Sequence, residues 1–158
     1  MLEIGDTAPT FDLPDADMEF VSLPGVLKKN RVVLYFYPKD DTPGCTLEAI
    51  EFSDLEAEFV RANIVVLGIS MDDCLQHGSF RDKHGLSVQL LADVDGEVCA
   101  RYAVLNEREF DGRKRTAILR STFVIDQSGI IQCARYGVNP KGHAHEMLAL
   151  VKELDLSC

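Results

Sequence analysis

The chain has 158 residues, of which 46% are apolar and 27% charged, with a formal net charge of −10. That length and balance fit a single globular domain over 1–158, with a core large enough to need no staples. The acidic surplus disfavours nucleic acid and anionic membrane as partners, and no run approaches the roughly 20 apolar residues of a membrane span.

Residues 1–30 read as a loop-rich start with two short extended pieces, around Phe11–Leu13 and Phe20–Ser22, joined by the turn chemistry of Pro14, Asp15 and Asp17. Met1 to Pro9 shows neither the basic region nor the apolar stretch of a secretory signal, so a cytoplasmic location is expected. Val32-Val33-Leu34-Tyr35-Phe36-Tyr37 is an apolar run too short for a helix and rich in strand formers, which reads as a strand buried on both faces. Pro38 ends it. A loop over 38–44 leads to a helix expected from about Pro43 to Asn63, with Thr42 as N-cap, Pro43 at the first helical position, and Phe52, Leu55 and Phe59 on the buried face. Ile64-Val65-Val66-Leu67-Gly68-Ile69 is the second buried strand. A strand, a helix and a strand predict a parallel pair with a right-handed crossover.

Residues 72–84 read as a helix opening on Asp72 and Asp73, Leu90–Ala92 as a short strand, and Gly96–Ala103 as a short helix. Residues 106–117 are polar with mixed charge and read as irregular. Thr122–Ile125 and Ile130–Tyr136 form a hairpin about Asp126-Gln127-Ser128-Gly129. A closing helix is expected from about His143 to Leu154, with Met147, Leu150, Val151 and Leu154 as its apolar stripe. This order predicts an α/β fold with a central mixed sheet flanked by helices. It resembles the thioredoxin arrangement with an N-terminal extension and an inserted helix.

Five cysteines, at 45, 74, 99, 133 and 158, are widely spaced and contain no CxxC. No two sit two to four apart, which argues against a zinc site and against a disulfide framework. Cys45 falls in the first turn of a helix that follows a buried strand, at the sheet edge where open α/β folds place their chemistry. Free N–H groups and partial positive charge there favour thiolate. Moving a thiol from about 8.5 to about 6.5 takes roughly 2.7 kcal/mol, whereas a helix terminus supplies about 0.3–1 kcal/mol. Asp40, Asp41 and Glu48 push the other way, so a cation must reach the site. Lys39 is the local candidate. Arg120, entering the strand that should lie beside the first, is the long-range one.

Pro38-x-x-x-Thr42-x-x-Cys45 matches the active-site pattern of the peroxiredoxins. The fuller Tyr35-Phe36-Tyr37-Pro38-Lys39 and Thr42-Pro43-Gly44-Cys45-Thr46 resemble the bacterioferritin-comigratory-protein branch, also called peroxiredoxin Q. Matches at Gly5-Asp6-x-Ala8-Pro9-x-Phe11-x-Leu13-Pro14, Val66-Leu67-Gly68-Ile69-Ser70 and Arg120-Ser121-Thr122-Phe123-Val124-Ile125-Asp126 extend the resemblance over nearly the whole chain. It implies a thioredoxin-fold peroxidase that reduces hydrogen peroxide and organic hydroperoxides, recycled by thioredoxin or another thiol. Cys45 would be the peroxidatic cysteine, passing through a sulfenic acid. Thr42 would hydrogen-bond the thiolate and the peroxide, Pro38 would shield the pocket, and Arg120 would lower the thiol pKa and polarise the O–O bond. No metal or organic cofactor is implied, and a monomer is the expectation for this branch.

The pattern departs at the resolving cysteine. Many members carry one five residues after the first, where this chain has Ile50. Five residues turn a helix about 140° off the starting face, so such a pair closes only on unwinding. A second group resolves from the following helix, at a place that aligns near Arg81. Cys74, just past the second parallel strand, is the substitute, and a one-cysteine route with an external thiol is the alternative. Cys99 reads as a packed small hydrophobe, Cys133 lies in a hairpin strand, and Cys158 is terminal. His143-Ala144-His145-Glu146 reads as a solvated helix start rather than a metal clip, since histidines two apart point in different directions. Two rival readings remain at this stage: a peroxide sensor acting on a partner, and a binding or chaperone protein without turnover.

Overall fold

Residues 31–36 explain the architecture. In β3 (Arg31–Phe36) every side chain after Arg31 is buried, because the strand is central and covered on both faces. It pairs in parallel with β4 (Ile64–Ser70), Val33 opposite Val66, and antiparallel with β8 (Ser121–Ile125), Leu34 opposite Phe123. β5 (Gln89–Ala92) and β9 (Ile131–Tyr136) complete a five-stranded mixed sheet of order β5-β4-β3-β8-β9. This is the mixed sheet the sequence implies. The structure, a computed structural model, describes residues 1–156.

Alternation along β3 divides the core. Val33 and Tyr35 face one cluster with residues of α2 (Pro43–Asp54), α3 (Glu56–Arg61), α4 (Cys74–His84) and α6 (His143–Leu156). Val32, Leu34 and Phe36 face the other, under α1 (Leu23–Leu27), α5 (Glu97–Arg101) and the N-terminal segment. That segment contains β1 (Asp12–Pro14) paired with β2 (Phe20–Ser22). Among the described residues no helix is long and apolar enough to cross a membrane.

Two expectations change. The helix expected over 43–63 is broken at Leu55 (φ −96°, ψ 1°) into α2 and α3. Nothing in the hydrophobic spacing marks that position. The break adjoins a tertiary contact, where Ser53 Oγ accepts the N–H groups of Ser87 and Val88. The segment 106–117 is not irregular: β6 (Leu105–Phe110) and β7 (Arg113–Ile118) form an antiparallel ribbon. Its first positions are exposed along β7, so hydrophobic alternation is lacking there. The legible signal was Asp111-Gly112, both at positive φ, the two-residue turn that matches strand twist.

Candidate active site

The parallel strands β3 and β4 end at one edge of the sheet, and the loop over 37–42 leads from β3 into α2. Thr42 is the N-cap in extended conformation and Pro43 opens the helix, which places Cys45 in its first turn. Cys45 is buried, 1% exposed. Arg120 stands just before β8, the antiparallel neighbour of β3, so strand pairing carries it across 75 residues of sequence to the thiol. Its Nη2 donates to Cys45 Sγ at 3.4 Å. Gly44 permits this approach, for a Cβ there would meet Arg120 Nη2 and Pro140 Cγ, each at 3.2 Å.

The second guanidinium nitrogen has a partner that sequence reasoning did not assign. Arg120 Nη1 donates to Glu48 Oε1 at 2.8 Å, and Glu48 is fully buried. Glu48 was expected only to oppose the thiolate. Its spacing of three from Cys45 puts both on one helix face, which was the available signal. Burial pushes the Glu48 carboxyl up to about 7 despite the opposing charge and hydrogen bond of Arg120. One guanidinium therefore serves two acidic groups, and the carboxyl is half neutralised near neutral pH. Below them Tyr35 is fully buried and stacked on Phe52 at 4.7 Å between ring centroids. Burial first, then the charges of Glu48 and Cys45, hold its phenol protonated.

Thr42 Oγ1 donates to the Lys39 carbonyl at 2.8 Å and makes no side-chain cap bond. Its hydroxyl proton is thus committed to the loop, leaving its lone pairs as acceptors. Pro38 and Lys39 are exposed on the same loop. Cys74 lies elsewhere. It starts α4, and its thiol is pushed up by burial and then by the charges of Asp73 and Asp15.

Cys99 and Cys133 are buried, one in each core cluster, and burial together with Asp93 keeps the Cys99 thiol protonated. Cys158 lies outside the described residues. The reading of 143–146 as solvated is corrected for His143, which is 1% exposed with Nε2 at 2.7 Å from Thr122 Oγ1. Burial lowers it to about 4, so it is neutral. His145 is exposed, so the two histidines do point apart.

A buried cysteine at a helix start, hydrogen-bonded by an arginine that leads into the neighbouring antiparallel strand, defines a thiol-based redox site on a thioredoxin-like sheet. The chain belongs to the AhpC/TSA family, whose pattern matches residues 4–134; within it, the chain is a peroxiredoxin of the Bcp branch. A bcp peroxiredoxin of Coxiella burnetii is 44% identical over 147 residues, covering 93% of this chain and 97% of that one. The structure of a Xylella fastidiosa PrxQ variant superposes with a TM-score of 0.91 at 34% identity, covering 98% of both chains. A Xanthomonas campestris bacterioferritin comigratory protein, described for its alkyl peroxide reduction, superposes with a TM-score of 0.85 at 34% identity over 90% of each chain.

Proposed function

We propose that the protein reduces hydrogen peroxide and alkyl hydroperoxides at Cys45, with Arg120, Thr42 and Pro38 forming the pocket. The observation that carries this reading is the 3.4 Å hydrogen bond from Arg120 to Cys45 Sγ in the first turn of α2. The Cys45 thiolate attacks the terminal oxygen of ROOH. An S–O bond forms as the O–O bond breaks, and the alkoxide leaves as ROH on taking a proton from solvent. Arg120 faces the reacting sulfur and stabilises negative charge in the transition state. Thr42, through its lone pairs, accepts a hydrogen bond from the peroxide O–H, and Pro38 covers the loop side.

An external dithiol of the thioredoxin type recycles the sulfenic acid: one thiol displaces water to form a mixed disulfide, and the second releases Cys45. The raised thiol of Cys74 favours this external route. Cys74 resolves internally only if the first turn of α4 unwinds. In this reading the protein acts as a single-domain monomer in the cytoplasm, where reduced thiols are abundant.

The test is one equivalent of hydrogen peroxide on fully reduced protein, with rapid alkylation, a sulfenic-acid trap and mass spectrometry. Sulfenate confined to Cys45 supports the reading. A Cys45–Cys74 disulfide keeps the nucleophile and moves resolution inside the chain. Persistent peroxide with Cys45 still a free thiol ends the peroxidase reading.

A further inference from the structure

The loop that carries Lys39 and Thr42 to the site is tied down from α4 by a buried network the proposed chemistry does not use. His77, fully buried, lies with Nδ1 2.6 Å from Asp40 Oδ2 and Nε2 2.9 Å from the Leu91 carbonyl oxygen. The carbonyl only accepts, so Nε2 carries a hydrogen. At 2.6 Å the Nδ1–Oδ2 contact is a short hydrogen bond between imidazole and carboxylate. Tyr37 Oη donates to the other Asp40 oxygen at 2.6 Å. The Asp40 backbone N–H donates to Asp72 Oδ2 at 2.8 Å, and Ser70 Oγ donates to the same oxygen at 2.7 Å. These atoms satisfy one another as hydrogen-bond partners at hydrogen-bond distances, so the cluster reads as a tether.

Next to it, Asp41 sits at φ 58°, a conformation that costs a non-glycine residue free energy. It is held there by Lys83 Nζ at 2.6 Å and His84 Nε2 at 2.8 Å, both at the end of α4. Asp41 is exposed, so those bonds hold weakly. The Asp40 side chain is only 6% exposed and His77 not at all, so theirs is the strong fastening.

We infer that His77 is a positioning residue for the peroxide step, latching Asp40 so that the loop holds Thr42 and the start of α2 in register with Arg120. This rests on the peroxidase reading of Cys45. The consequence is chemical rather than only structural, because a displacement of about 1 Å in a reacting pocket costs on the order of 100-fold in rate.

The experiment compares the second-order rate of Cys45 oxidation by hydrogen peroxide with that of Cys45 alkylation by iodoacetamide, in reduced wild type, His77→Phe, Asp40→Ala, Asp40→Asn and the His77→Phe/Asp40→Ala double variant. Iodoacetamide needs a reactive thiol and no peroxide pocket. His77→Phe and Asp40→Ala should each lose tenfold or more in peroxide rate with no loss in alkylation rate. Asp40→Asn, which still accepts from Tyr37 and donates to Nδ1, should stay within about threefold of wild type, by the geometry of its amide. The double variant should be no slower than either single one, since both remove the same bond. A fast wild type with equally fast His77→Phe and Asp40→Ala proteins overturns the latch alone, as does an equal fall of both rates. A wild type that leaves Cys45 unoxidised overturns the peroxidase reading beneath it.

Discussion

Replacing Arg120 by methionine isolates the contact on which the site depends. The change keeps an unbranched side chain and deletes the donors to Cys45 Sγ and Glu48 Oε1. A hydrogen bond to a charged group contributes about 1.5–3 kcal/mol. Where that contribution is made to the charge developing on the leaving oxygen, its loss slows Cys45 oxidation by about 10- to 150-fold. Collapse of the fold is not expected to confuse the result. Glu48 already titrates at about 7 with the arginine beside it, and burial is the cause. Without Arg120 the carboxyl moves further up and is neutral at pH 7, so no bare charge stays in the core. The assay is stopped-flow mixing of reduced protein with a pseudo-first-order excess of peroxide, with circular dichroism on the same sample. Arg120→Lys should recover part of the rate, as one ammonium cannot fork to both acids. An Arg120→Met protein that is folded and within twofold of wild type would refute the assignment.

Thr42→Val removes the donor to the Lys39 carbonyl and should cost about 1 kcal/mol of stability together with a loss of peroxide rate; Thr42→Ser should restore both, and an unchanged Thr42→Val rate excludes the hydroxyl from the pocket. Gly68→Ala would drive a Cβ to 2.7 Å from Tyr35 Cζ, and the ring, stacked on Phe52, has no room to yield. A loss of about 1–3 kcal/mol should appear as a fall in Tm by calorimetry, and an unchanged Tm would mean the ring moves freely. Stability against pH carries two opposed contributions. Glu48 holds its proton to about 7 in the fold but to about 4.3 when unfolded, so its contribution is full below the latter value and lost as pH rises through the former. His143 titrates at about 4 in the fold and about 6.5 unfolded, so its contribution is full at higher pH and lost as pH falls through that window. Glu48→Gln should therefore expose the His143 slope, stability rising with pH between about 4 and 6.5 by up to roughly 3 kcal/mol; urea unfolding at stepped pH measures it, and a slope of the opposite sign would contradict a neutral His143.

Local patterns made the helix-start cysteine legible. A buried apolar run, then Pro38, Thr42 and Pro43, leaves little choice of where a strand ends and a helix begins, and Cys45 follows in that first turn. The charge argument required a cation, and strand pairing of β8 against β3 supplied Arg120. What the chain alone did not disclose depends on contacts distant in sequence. Glu48 looked like a repulsive neighbour until tertiary packing set it on Arg120's second nitrogen. His143 looked solvated until β8 placed Thr122 against its ring. The ribbon over 105–118 has little hydrophobic alternation to announce it, and the break at Leu55 answers to a loop more than 30 residues away. Periodicity and capping act within a few residues, so the sequence by itself determined most of the elements and the helix-start place of Cys45. The protonation and partners of buried groups depend on which surfaces exclude water and which charges meet there, and only the tertiary structure decided those.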